Sequence, residues 1–347
     1  MRLTAHVVPA GKRNAMQVAT ANFEEIREAI GAHTGADNPS SFLALNEGTS
    51  SFGRPHLDGV ISYRAAGRFL VQLGGPFAAE GDRAELLHEF LGHARERSAT
   101  VVGVQLARED AELYVRHGFT VNQVGASYAV DLERFTLRGT RFMQLRNKIS
   151  RSFRAGLQVT EVDLEAHAEA VAEIDAAWLG TKGEAARPLE FLVGQTGGRA
   201  QAERRLFLGS IEGRPIGYIS YSPVFGSRQG WMHDLSRRVP EGPPGVMEAI
   251  NSTAIEVFRT EGVPWLHFGF TPFTGLAEEH ELPGRSSAFQ WFMHWLWENG
   301  EAVYPARTQL SYKEKWAPHA VLPEYVAFQG RADLGAFAHI FRAANAF

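Results

Sequence analysis

The chain has 347 residues, enough for two domains of ordinary size, with the hydrophobic (44%) and charged (21%) content of a globular protein. A formal net charge of −4 provides no global basic field, so contact with a polyanion has to come from a local patch. The absence of cysteine excludes disulfides, thiolate metal sites and a cysteine nucleophile, and it suits a reducing, cytoplasmic compartment.

The opening MRLTAHVVPAGKRNAM lacks the apolar core of a signal peptide. Residues 1–36 read as a leader followed by one helix, with Phe23, Ile26 and Ile30 on one face. Two strands, 59–64 and 68–73, follow and end at Gly74-Gly75-Pro76. A helix over 82–98 carries the stripe Leu86, Leu87, Phe90 and Leu91, with Asp82 as N-cap. The run VVGVQL (101–106) has the β-branched character of a buried strand. A helix over 109–117 ends at Gly118, and 126–132 forms another strand.

Between the halves lies RGTRFMQLRNKISRSFRAGL (138–157). It holds six basic residues, Arg138, Arg141, Arg146, Lys148, Arg151 and Arg154, and no acidic one, while Phe142, Leu145, Ile149 and Phe153 recur at helical spacing. This is a basic amphipathic helix, suited to RNA phosphates, to an anionic membrane surface or to a solvated linker.

The second half repeats the order of the first. A helix (164–179) precedes a hairpin (205–211, 215–221), a strand (231–235), a helix (245–259), a strand (265–270) and an aromatic helix (286–298). Shorter strands are expected near 308–312 and 325–328. The apolar run 289–297 is interrupted by Gln290 and His294 and is far shorter than the ~20 residues of a membrane span, so a soluble protein is expected. The element order predicts an α/β protein of two tandem duplicated acetyltransferase-like (GNAT-type) folds with mixed sheets. The expected divisions are 1–136, a basic connecting helix at 137–157, and a catalytic unit at 158–347.

Chemistry concentrates in the second half. In a GNAT fold the helix after the central strand presents its N-terminus to pyrophosphate. The loop here, Arg237-Arg238-Val-Pro-Glu-Gly-Pro-Pro-Gly245, has the wrong spacing, and its prolines remove N–H donors, so coenzyme A is not expected. Asp234 and Arg237 stand near the end of the central strand, where a carboxylate orients an amine or accepts a proton and an arginine grips a phosphate or an oxyanion. A structural ion pair between them is the alternative. His233, beside Asp234, should point to the opposite face of the sheet. The cluster Tyr312-Lys-Glu-Lys315-Trp316 is suited to phosphate binding and base stacking, or else to a solvated strand end. The 13 histidines show no paired metal-ligand spacing, and no metal site or cofactor is expected.

The chain resembles the soluble C-terminal domain of the lysylphosphatidylglycerol synthases (multiple peptide resistance factor family) over nearly its whole length. The first half carries Ile61-Ser-Tyr-Arg64, Leu73-Gly-Gly-Pro76 and Phe135-Thr-Leu-Arg-Gly139. The second carries Trp178-Leu-Gly180, Asp234-Leu-Ser-Arg237, Pro244-Gly-Val-Met-Glu248, Phe268-Gly-Phe-Thr-Pro272 and Tyr312-Lys-Glu-Lys-Trp-Ala-Pro318. The resemblance implies an aminoacyl-tRNA donor in place of acetyl-CoA and transfer to a hydroxyl. It implies Asp234, Arg237 and Lys315 as catalytic residues, with Lys313 the alternative lysine. Tyr312, Lys313, Arg238, Gly245 and Glu248 are the implied substrate contacts. Arg141, Arg146, Lys148, Arg151 and Arg154 are the expected tRNA contacts. The membrane-embedded region of the large family members is not in this sequence, and 225–229 lacks a histidine expected in the lipid enzymes. Both departures point to the stand-alone relatives of antibiotic biosynthesis, such as the valanimycin seryltransferase. The expected acceptor is then the hydroxyl or hydroxylamine of a small natural-product precursor. Aminoacyl transfer to phosphatidylglycerol, or a non-catalytic GNAT-like binding module, is the alternative; peripheral contact with a membrane surface is a separate candidate partner.

Overall fold

The computed structural model describes residues 22–35, 38–183, 187–302 and 304–345; the expected leader lies outside them. Helix α1 (Phe23–His33) opens on a reciprocal cap, in which Asn22 Oδ1 accepts the Glu25 N–H and Glu25 Oε2 accepts the Asn22 N–H. The first half then runs β1 (Ser50–Gly53), β2 (Gly59–Ala66), β3 (Phe69–Ala78), α2 (Arg83–Glu96), β4 (Thr100–Leu106), α3 (Arg108–Arg116) and β5 (Phe119–Asp131). Asp82 precedes α2 but does not cap it, because its carboxylate accepts the Asp58 N–H at 2.8 Å. Strand β5 starts seven residues before the expected 126, since Phe119, Val121 and Val124 all find buried partners.

Helix α4 (Met143–Arg154) joins this half to β6 (Leu157–Val162) and α5 (Ala168–Gly180). Next come β7 (Arg205–Ile211), β8 (Arg214–Val224), β9 (Gly230–Arg238), α6 (Val246–Thr260) and β10 (Trp265–Pro272). The chain ends with α7 (Ser287–Asn299), α8 (Ala306–Glu314), β11 (Ala320–Gln329) and α9 (Leu334–Ala343). The expected strand near 308–312 is a helix: α8 turns Lys313 into the interior and leads to Trp316, both buried, which an extended strand would not do together with Tyr312.

The described strands form one mixed sheet in the order β1-β2-β3-β4-β11-β5-β10-β9-β8-β7-β6. It is an α/β fold with flanking helices, and its two ends mirror each other. Strand β3 is parallel to β4 with α2 between them in sequence, as β9 is parallel to β10 with α6 between them. The last strand of the chain, β11, lies between β4 and β5, and β5 in turn lies between β11 and β10. The sheet is therefore continuous across the middle of the chain, and each half is closed by a strand from the other. Core residues from both halves meet beside this seam, among them Phe42, Phe191, Met232 and Phe273.

Candidate active site in the wedge between β9 and β10

Strands β9 and β10 pair only from Trp265 opposite Gly230 to His267 opposite Met232. Beyond that point the pairing with β9 ends, while a bulge between His267 and Phe270 shifts the ladder that β10 shares with β5, and Gly269 takes φ +64°. The remaining length of β9, residues 233–238, faces an opening wedge. Asp234 sits at its mouth, in mid-strand rather than at the strand end.

The register explains why Asp234 and Arg237 act on one side despite their spacing of three. Ser220 pairs with Leu235 and Tyr221 with His233, which leaves Asp234 as the extra residue of a bulge. On a regular strand residues three apart face opposite sides. Here the Asp234 carboxylate accepts a short hydrogen bond from Ser222 Oγ, and Arg237 turns toward α5, which packs on the same strands. His233 points away from Asp234, as expected. Its ring meets Tyr221, Phe268 and Tyr312, and burial drives its pKa down to about 3, so it is neutral.

Asp234 and Arg237 do not pair with each other. Arg237 Nη1 lies 2.6 Å from Asp175 Oδ2, its guanidinium covers the Trp178 ring at 4.9 Å, and the Tyr218 hydroxyl donates to Asp175 Oδ1 at 2.5 Å. The partner of Asp234 is Arg204, with Nε 3.9 Å from Oδ2 and a side chain that is fully buried. Arg204 Nη2 donates to Asn46 Oδ1 at 2.8 Å, and its guanidinium lies 5.0 Å from the Phe42 ring, so the first half holds it. Asn46 also donates to the Val193 carbonyl at 2.8 Å, and Gln105 Nε2 to that of Leu192 at 3.3 Å. These bonds press Gly194 against Asp234 so closely that a Cβ at Gly194 would fall 2.4 Å from Asp234 Cγ. Burial raises the Asp234 carboxyl above its ordinary value, while Arg204, Ser222 and the Gly194 backbone pull it down. Arg204 Nη1 and Arg237 Nε are buried without a hydrogen-bond partner among the described residues.

The two candidate lysines occupy different places. Lys313 is buried, and its Nζ donates to the carbonyls of Gly269 at 2.6 Å and Phe270 at 3.1 Å, the groups that the bulge frees from β9. Burial lowers it to about 7 against the pull of Glu324. Glu324, which accepts from Ser127 Oγ, is pushed up to about 7 by the same burial. Lys315 lies nearer the surface, 3.2 Å from Glu248 Oε1 and 5.4 Å from the Tyr312 ring. Lys148 reaches the same Glu248 oxygen at 3.6 Å, so Glu248 links α4, α6 and the end of α8. Tyr312 is half-buried, its ring in contact with His233, Phe268 and Trp316.

Several expected contacts prove to be occupied by the fold. Gly245 caps α6 at φ +95°, and a Cβ there would meet the Lys148 carbonyl oxygen at 2.5 Å. Its smallness lets α4 cross the start of α6, where Ser152 Oγ donates to the Pro244 carbonyl at 3.0 Å. The N-terminus of α6 is thus covered by α4, which adds a geometric reason against pyrophosphate binding there. Arg238 Nη1 bridges the carbonyls of Val239 and Gly242. Arg146 donates to the carbonyls of Leu137 and Gly139. Arg151 and Arg154 remain exposed on α4, and Arg141 in the turn before it. Arg204, Gly194, Ser222 and Asp175 escape sequence reasoning, because each meets its partner through contacts that no local spacing announces. Among the described residues no group of His, Asp and Glu side chains is arranged for a metal ion.

An acidic group and an arginine share one face of a splayed strand, and a lysine whose pKa burial lowers to about 7 lies beside the wedge. The model of the C-terminal region of phosphatidylglycerol lysyltransferases matches residues 28–328, and the chain belongs to that family. The phosphatidylglycerol lysyltransferase of Bacillus subtilis is 26% identical over 259 residues, 72% of this chain and 29% of that protein. The lysylphosphatidylglycerol biosynthesis bifunctional protein LysX of Rhodococcus jostii is 24% identical over 328 residues, 91% of this chain and 28% of its own length. This chain thus spans under a third of these relatives. The solved structure of L-PGS from Bacillus licheniformis shares the fold, with a TM-score of 0.75 at 21% identity over 92% of this chain and 95% of that one. Among the described residues no helix is long and apolar enough to cross a membrane.

Proposed function

We propose that the chain is an aminoacyltransferase that moves an aminoacyl group from aminoacyl-tRNA to a hydroxyl, and that its acceptor is phosphatidylglycerol. The observation that carries this reading is the family match over 28–328, which spans the Asp234–Arg237 stretch and both lysines of the wedge. The names of the relatives support the lipid ahead of a small natural-product precursor, whose only support is the pair of sequence departures.

The donor is an activated ester, so no ATP is required. The acceptor oxygen attacks the ester carbonyl carbon, and the tetrahedral intermediate collapses as the ribose oxygen of the tRNA leaves with a proton. In this scheme Asp234 holds the α-amino group of the donor. Lys313 takes the acceptor proton, since a lysine near neutrality exchanges protons at working pH. Arg237, fixed by Asp175 and Trp178, supports the oxyanion. Lys315 meets the terminal phosphates of the tRNA, and Arg141, Arg151 and Arg154 take phosphates farther along. We read the two ends of the sheet as GNAT-type units that have exchanged their last strands, with residues 158–347 as the catalytic unit and 137–157 as the connecting helix.

The test is incubation with a labelled pool of aminoacyl-tRNA and phosphatidylglycerol vesicles, followed by thin-layer separation. Label is expected in the lipid fraction. Label on an added water-soluble hydroxylamine instead would replace the acceptor, and tRNA that loses label no faster than in buffer would overturn the transferase reading.

A further inference from the structure

A cavity of about 510 Å³ opens between the segment that follows β5 and the outer side of α6. Its volume lies in the range of small-molecule sites. Phe135 and Ile255, both buried, form part of its floor, and Arg138, Arg146 and Arg259 stand around it with Glu256 as the one acidic lining residue. Arg146 is immobilised by its bonds to the carbonyls of Leu137 and Gly139, which also fix the loop that carries Arg138. Arg138 and Arg259 are exposed, and no ion pair engages either among the described residues. Two unpaired guanidinium groups over an apolar floor form a receptor for one phosphate with a planar or apolar group attached.

The cavity also has a direction. The Phe135 ring lies 6.2 Å from Trp316, the residue after Lys315. Lys315 and Lys148 converge on Glu248 at the start of α6. Cationic groups thus run from the cavity along α6 to the rim of the wedge.

We propose that this cavity binds one nucleotide of an RNA strand, with its phosphate on Arg138 and Arg259 and its base or sugar over Phe135 and Ile255. The proposal rests on the aminoacyl-tRNA reading and extends it to a site set apart from the wedge. A concave receptor with an apolar floor suits a nucleotide drawn from a strand better than the flat surface of a bilayer.

The test measures binding of fluorescent, unacylated tRNA across a salt series for the wild type, for R138A/R259A and for R331A, whose arginine is exposed and outside the cavity. The double variant is expected to bind at least about tenfold more weakly, with the salt slope reduced by roughly 0.8, as the loss of one phosphate contact requires. R331A is expected to match the wild type. Equal affinity and slope in the folded double variant would overturn the site. So would a loss confined to binding of phosphatidylglycerol vesicles, which would make the cavity a lipid headgroup site. Aminoacyl transfer by the wild type is scored in parallel. If transfer occurs and the double variant keeps its KM for aminoacyl-tRNA, this inference fails alone. If no transfer occurs but tRNA binding still depends on the two arginines, the transferase reading fails and the cavity stands.

Discussion

Gly194 and Asp234 touch so closely that neither residue changes alone. A methyl group at position 194 would have to displace the carboxylate, because the Asn46 and Gln105 bonds fix the adjoining backbone of Val193 and Leu192. Gly194→Ala is therefore expected to lower kcat by about 100-fold, the effect of an ångström-scale misplacement, while the unfolding midpoint changes little. Wild-type turnover in the variant would show that Asp234 does not work in its observed position. In the proposed mechanism Lys313 sets the pH dependence. Its pKa is lowered to about 7, so the amine is protonated below that pH and free to accept a proton above it. As a base it makes kcat/KM rise with pH through about 7. Lys313→Arg, whose guanidinium stays charged, is expected to abolish both the rise and most of the activity. A wild-type rate flat from pH 6 to 9 would exclude Lys313 as the base. That Asp234 and Arg237 share one strand was legible in the sequence, because a spacing of three keeps both within it. Arg204 was not, since only folding brings it from a separate segment to the carboxylate, and the bulge that turns Asp234 toward α5 leaves no mark in composition.

Helix α4 does two things at once. Leu145, Ile149 and Ser152 bury one side against α6, and Arg151 and Arg154 stay outside. Amphipathic spacing makes this division readable in the sequence, whereas no local pattern places Gly245 beneath the helix. Gly245→Ala has to place a Cβ 2.5 Å from the Lys148 carbonyl oxygen at φ +95°, a backbone region unfavourable to alanine. The expected cost is about 1–3 kcal/mol from the backbone alone, read as a lower urea midpoint at unchanged slope. Since α4 also carries exposed arginines, tRNA affinity should fall with it. A midpoint equal to the wild type would mean that α4 does not rest on this glycine. Helix α8 shows the opposite case. Its short run Thr-Gln-Leu-Ser-Tyr contains residues at home in strands, and local propensity favoured extension. The buried positions of Lys313 and Trp316, set by β10 and α6, decide for the helix.

At the scale of the whole molecule, the succession of elements was readable in the sequence but the order of the strands in the sheet was not. Alternating strands and helices follow from local periodicity, whereas the place of β11 depends on partners about 200 residues earlier, such as Ala129 opposite Ala320 and Phe119 opposite Gln329. Because β11 separates β4 from β5, removing the second half leaves those two strands unpaired with each other and exposes Tyr325's and Ala327's partners to water. Removing the first half leaves β10 without its neighbour β5. Neither half closes its own sheet, and Arg204 and Asp234 rely on Asn46 and Phe42 from the other side. The chain is therefore expected to unfold in urea as one cooperative transition, with backbone and tryptophan signals coincident. Residues 1–136 expressed alone should lack cooperative unfolding, and adding residues 158–347 in trans should restore it by supplying β11. Two separated transitions in the intact chain, or a cooperative 1–136 fragment, would show that β11 is dispensable to the first half and that the halves are independent units.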